Sequence, residues 1–180
     1  VEHLVAKGGS VLFVGTKPEA RGTIEETATS LDIPYVSHRW IGGTLTNFSE
    51  IKKRVSLFEK LQDQKESGEL DVYTKKEQLG IEKQINDLAR NFGGITTMEK
   101  LPDVIFLIDP KHEVAAVNEA KSKNIPIVAL AGSDCDLSDV EYPIPANDSS
   151  VSSVSFFVKQ IAEAYSGGKK LEETKKEVEE

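Results

Sequence analysis

A parallel α/β sheet with helices on both faces, interrupted by a projecting helical hairpin, is the fold predicted by the 180-residue sequence. Three observations predict it. Short apolar runs of strand length alternate with stretches of helical periodicity. These runs are apolar throughout, as strands buried on both faces are. One stretch, residues 47–92, breaks the rhythm with two narrow apolar seams.

Ser10, Val11, Leu12, Phe13 and Val14 lie between Gly8-Gly9 and Gly15 and read as a central strand. Pro18 suits a first helical turn, and Ile24, Ala28 and Leu31 recur at helical spacing until Pro34 forbids continuation. Tyr35, Val36 and Ser37 read as a second strand, residues 104–108 as a third, residues 113–123 as a helix and residues 127–130 as a fourth strand. A last helix over about residues 151–165 places Val154, Phe157, Val158 and Ile161 on one face. The expected organisation is an α/β domain of residues 1–46 and 93–166, an inserted hairpin of residues 47–92, and a charged, flexible tail of residues 167–180.

In the hairpin, Phe48, Ile51, Val55 and Phe58 are three, four and three residues apart, and Ile81, Ile85, Leu88 and Phe92 are four, three and four apart. Seams this narrow suit two antiparallel helices packed on each other, with charged faces left to solvent or RNA. Ser67-Gly68 offers the turn between them, Thr74 with Glu77 a capping box for the second helix, and Gly93-Gly94 its stop.

Composition narrows the function classes. No apolar run approaches the ~20 residues that span a bilayer, and the opening residues lack the basic and apolar regions of a signal peptide. The expectation is an intracellular protein with no membrane partner. The single Cys135 cannot form an internal disulfide. Against 22 Lys plus Arg stand 30 Asp plus Glu, a net charge of −8, so any nucleic-acid contact must be made by local clusters such as Lys52-Lys53-Arg54.

Catalytic and cofactor motifs are missing. Gly15-Thr16-Lys17 follows a strand where phosphate binds in other folds, but the Gly-x-x-x-x-Gly-Lys-Ser/Thr pattern is absent, and Gly8-Gly9 precede the strand instead of following it. His3, His38 and His112 have no partners at zinc-site spacing. Asp134, Cys135, Asp136 and Asp139 crowd one loop without a general base beside the thiol. No enzyme activity, metal or cofactor is expected.

Residues 39–48, Arg-Trp-Ile-Gly-Gly-Thr-Leu-Thr-Asn-Phe, carry the most information. The glycines permit positive φ or close backbone approach, and Asn47 with Glu50 can cap the first hairpin helix. Arg39 and Trp40 either contact a phosphate and stack on a base or brace the joint between sheet and hairpin. This stretch resembles the signature of the ribosomal protein S-two family in its bacterial and organellar form. Other motifs follow the family in order: Val14-Gly15-Thr16-Lys17, Thr74-Lys75-Lys76-Glu77, Gly93-Gly94-Ile95, Leu101-Pro102-Asp103, Ile108-Asp109-Pro110, Ile125-Pro126-Ile127 and Asn147-Asp148.

The resemblance implies a Rossmann-like (flavodoxin-like) domain with a coiled-coil hairpin, a structural constituent of the small ribosomal subunit. Its implied partners are small-subunit ribosomal RNA, neighbouring ribosomal proteins and ribosomal protein S-one, on a cytoplasmic or organellar ribosome. Family members carry a further Gly-His and Arg-rich segment before the point where this sequence opens, so part of that surface is expected to lie outside it. The family's Asp-Thr-Asn-Cys-Asp-Pro loop is replaced here by Gly132-Ser133-Asp134-Cys135-Asp136-Leu137. Candidate RNA contacts are Arg39, Trp40, Lys52, Lys53, Arg54, Lys75 and Lys76, each of the lysines being equally readable as a solvated surface charge. The rival functions are a small nucleotide-binding α/β protein and a protein-interaction module that uses the hairpin.

Overall fold

The computed structural model describes the backbone of residues 1–179 and their side chains, except those of Asp71 and residues 175–179. Five strands form one sheet: β1 (Val11–Val14), β2 (Tyr35–Val36), β3 (Val104–Ile108), β4 (Ile127–Ala131) and β5 (Tyr142–Pro145). Their order is β2-β1-β3-β4-β5 and every pairing is parallel. The direction of winding reverses between β1 and β3, as in flavodoxin-like sheets.

Period-two alternation along the strands divides the core into two layers. Val11, Phe13, Val104, Phe106, Ile108, Val128 and Leu130 pack with α1 (Glu2–Val5), α2 (Pro18–Ser30) and α6 (Val151–Glu179). Within this layer Phe13 and Phe106 meet edge to face at 5.3 Å. Leu12, Val14, Ile105, Leu107, Ile127 and Ala129 point the other way, toward α5 (Val114–Ser122) and the hairpin of α3 (Phe48–Glu66) and α4 (Lys75–Phe92). Each fully buried Leu, Ile or Phe contributes about 1.5–3 kcal/mol from leaving water, so both faces of the sheet are strongly driven together.

Two sequence expectations need correction. Ile144-Pro145, which with Asn147-Asp148 resembles the family's approach to the last helix, belongs to a fifth strand, β5, that the sequence reading did not include. Pro143 and Pro145 disguise it, because proline cannot donate to a ladder; the strand tolerates them at the sheet edge, where it pairs only with β4. The last helix does not end near Tyr165: its backbone is helical through Glu179, across the expected start of the tail. Gly167 and Gly168 let it pass close to α1, and a Cβ on Gly168 would lie 2.6 Å from the Glu2 carbonyl oxygen. The side chains of 175–180, part of the expected tail, lie outside the described residues.

Candidate nucleic-acid interface: the helical hairpin and its root

The hairpin is held along its length by its seam and at its base by one carboxylate. Ile51, Val55, Phe58, Ile85, Leu88 and Phe92 are buried, with Phe48 and Ile81 packed against them, in the same cluster as the adjoining face of the sheet. A 3₁₀ turn, Glu69–Val72, joins the helices after Gly68, whose φ of +77° suits glycine. At the start of α4 the Thr74 N–H and hydroxyl both donate to Glu77, at 2.9 and 2.8 Å.

Where α3 begins, the chain turns through residues 41–47 and its N–H groups converge on Glu119 of α5. The Glu119 carboxylate accepts from the N–H groups of Gly43 (2.8 Å), Leu45 (2.9 Å) and Thr46 (3.0 Å), the Thr46 hydroxyl (3.0 Å) and the Trp40 indole N–H (3.0 Å). Burial pushes the Glu119 pKa up, but donation from Thr46, Trp40, Leu45 and Gly43 outweighs it and holds the carboxyl below its usual value. The expected Asn47 cap is not used: its side chain makes no cap bond, and Glu50 pairs instead with Lys53.

At the other root, Gly93 has helical φ and the chain continues into a short 3₁₀ turn, Gly93–Ile95, so the glycine pair does not stop α4 by a left-handed residue. Gly94 serves close approach: a Cβ there would collide with the Tyr35 carbonyl oxygen.

The candidate contacts do not form one site. Trp40 is 8% exposed with its N–H engaged by Glu119, so it braces the root and has almost no ring surface left for a base. Arg39 is exposed beside it, with no polar partner among the described residues. Lys52 donates to the Glu99 carbonyl at 2.7 Å and lies over the Phe48 ring; Lys53 pairs with Glu50; Arg54 is exposed and has no partner among the described residues. Consecutive helical residues point about 100° apart, so these three neighbours in sequence face three directions. Lys75 and Lys76 are exposed at the far end of the hairpin, about 20 Å from residue 53 at 1.5 Å per residue.

The carboxyl edge of the sheet, where a nucleotide would be sought, is filled by the protein's own charges. Lys17, just before α2, reaches Asp109 at 2.6 Å and Asp148 at 3.7 Å. Thr16 donates both its N–H and its hydroxyl to Glu113, at 2.7 Å each. Burial alone would lower the Lys17 pKa and raise that of Asp109; their mutual bond outweighs it, holding the lysine above and the aspartate below their ordinary values. Asp109, Cys135 and Asp148 place ligand-type atoms within 4.8 Å of one another, but the cation already present is Lys17. A phosphate here would face the carboxylates of Asp109, Asp148 and Glu113, with both Thr16 donors spent on Glu113 and Lys17 already paired with two of those acids.

Glu119 and the cations Lys83 and Arg90 of α4 escaped sequence reading. Nothing local marks Glu119, whose partners lie more than seventy residues away. The cations are legible as heptad neighbours of Lys76, a spacing that a cluster of consecutive basic residues such as Lys52-Lys53-Arg54 does not have.

Residues 1–168 match the family model described as Ribosomal protein S2. The chain is 47% identical over 171 residues to small ribosomal subunit protein uS2 of Desulfatibacillum aliphaticivorans, covering 95% of this chain and 58% of the relative. It is 44% identical to the protein of the same name from Helicobacter acinonychis, covering 95% and 70% of the two chains. The counterpart from Mycobacteroides abscessus is also 44% identical, covering 93% and 61%. The chain thus spans about six to seven tenths of the length of these curated relatives. Among the described residues no helix is long and apolar enough to cross a membrane.

Proposed function

Because the chain belongs to the Ribosomal protein S2 family, we propose that it is a structural constituent of the small ribosomal subunit. It binds small-subunit ribosomal RNA and neighbouring ribosomal proteins, ribosomal protein S-one among them, on a cytoplasmic or organellar ribosome, and it performs no catalysis and needs no cofactor. The observation that carries this reading is the family match across residues 1–168, taken with a hairpin whose outer faces are charged and open. The carboxylate-filled strand ends weigh against the nucleotide-binding alternative, since phosphate would have to displace Lys17 from Asp109. Use of the hairpin as a dock for protein alone remains the contrasting function.

The test is sedimentation of the tagged chain in a bacterial lysate. The expected result is co-migration with small subunits and release as salt is raised, since phosphate contacts weaken steeply with ionic strength. A chain that stays at the top of the gradient, and does so again when joined to the leading segment of a longer relative, would overturn the proposal. Association that survives nuclease treatment would favour the protein-docking alternative.

A further inference from the structure

We propose that the face of α4 opposite the seam is where the hairpin meets RNA, with Lys76, Lys83 and Arg90 forming one row of cations that takes phosphates spaced along the RNA backbone. This rests on the ribosomal reading above and names the surface that serves it. The three residues are seven apart, so along an α-helix each is rotated only ~20° from the last, and the row runs about 21 Å at 1.5 Å per residue. Ile85 of the seam lies nine residues from Lys76, half a turn away, so the row points out from the core.

These cations combine alignment with availability. Lys76, Lys83 and Arg90 are exposed, and none has a hydrogen-bond or ion-pair partner among the described residues. The acids of α4 are largely turned elsewhere: Glu77 accepts from Thr74, and Glu82 pairs with Lys65 of α3 at 3.1 Å. Asp87 alone flanks the row. In a chain of net charge −8, three aligned cations without partners mark a place where a polyanion is attracted locally while the rest of the surface repels it.

The inner end of the row continues onto the sheet. Arg90 lines a small cleft with Glu25, His38, Gly93 and Gly94, in which the Glu25 carboxylate lies 3.3 Å from the His38 ring. Arg39 follows His38 in sequence and is exposed, a further cation at the root with no polar partner among the described residues. A phosphodiester strand laid along α4 meets a cation at each heptad, whereas Lys52, Lys53 and Arg54 offer one cation per direction.

The test compares the 180-residue chain with two triple variants of equal charge change, binding purified small-subunit ribosomal RNA over a series of salt concentrations. One neutralises the row, Lys76→Gln, Lys83→Gln and Arg90→Gln. The control neutralises Lys60, Lys123 and Lys159 to Gln, exposed lysines off α4. Circular dichroism and thermal melting check that each stays folded. The row variant is expected to bind at least about tenfold more weakly at moderate salt and to reduce the slope of log K against log salt by about 2–3, one near-unit step per lost phosphate contact. The control is expected to shift both much less.

Equal losses in the two variants, or none in the row variant, would overturn the α4 surface while leaving RNA binding by the chain in place. Absence of RNA binding by the unaltered chain would overturn the surface as a binding site in itself; the ribosomal reading falls with it only if the chain joined to the leading segment of a longer relative also fails to bind. If subunit association depends on the row yet survives nuclease treatment, the face belongs to an acidic protein and the RNA assignment fails.

Discussion

The carboxyl edge of the sheet and the outer face of α4 are both rich in charge, yet their charges are in opposite states. At the sheet edge Lys17 is held by Asp109 and Asp148, and Thr16 spends both donors on Glu113, which is itself 3% exposed. On α4 the cations Lys76, Lys83 and Arg90 stand in solvent without partners among the described residues. Charge satisfied within the fold stabilises it, whereas charge left unsatisfied at the surface is available to a partner. Which of the two conditions holds matters more than how many lysines a segment carries.

The sharpest way to break this contrast lies between the two regions, at Glu119. Glu119→Ala leaves the N–H groups of Gly43, Leu45 and Thr46 and the Trp40 indole without their acceptor. A loss of about 2–3 kcal/mol is expected in denaturant unfolding, toward the lower figure because water reaches part of the site. Spin labels at Ser67 and Thr27 are expected to show a broadened hairpin-to-body distance in the variant. An unchanged distance and unchanged midpoint would show that the seam alone fixes the hairpin.

A smaller effect is expected at the sheet edge. Lys17→Met removes the cation between Asp109 and Asp148 and is expected to cost about 1–2 kcal/mol, discounted for partial exposure, with RNA affinity unchanged. The sign of the pH dependence follows from the two shifts. Asp109 has its folded pKa lowered, so its stabilisation is present above the ordinary carboxyl value near about 4 and is lost as pH falls through the folded value. Lys17 has its folded pKa raised, so its contribution is present below about 10.4 and is lost as pH rises through the folded value. Thermal melting of the native chain should therefore hold a plateau between these limits, and the variant should lose less stability than the native chain on acidification.

The smallest effect is expected at Lys53, whose partner Glu50 is one helical turn away on an exposed surface. Lys53→Ala should leave the melting temperature within error of the native chain, because such pairs offset little more than the entropy of holding them. A clear loss of stability would mean that the α3 surface is more committed to the fold than its exposure indicates.

Much of this architecture is legible before folding. The runs at residues 11–14, 104–108 and 127–131 are apolar at every position because both faces of the sheet are covered, and the spacing of Phe48, Ile51, Val55 and Phe58 against Ile81, Ile85, Leu88 and Phe92 encodes the hairpin. Strand β5 was not legible, since Pro143 and Pro145 are read locally as breakers and become acceptable only once that strand is known to lie at an edge. Trp40 was ambiguous for a related reason: an exposed stacking platform and a buried brace have the same sequence, and only the arrival of Glu119 from α5 decides between them.

By itself, then, the sequence determined the alternation of strands and helices, the hairpin and its seam, because apolar periodicity acts through neighbours a few residues apart. Only the tertiary structure decided which charges remain free. Lys17 meets Asp109, and Trp40 meets Glu119, across stretches of chain that approach each other only when the sheet closes, and no local pattern records where a carboxylate from a distant helix will come to rest.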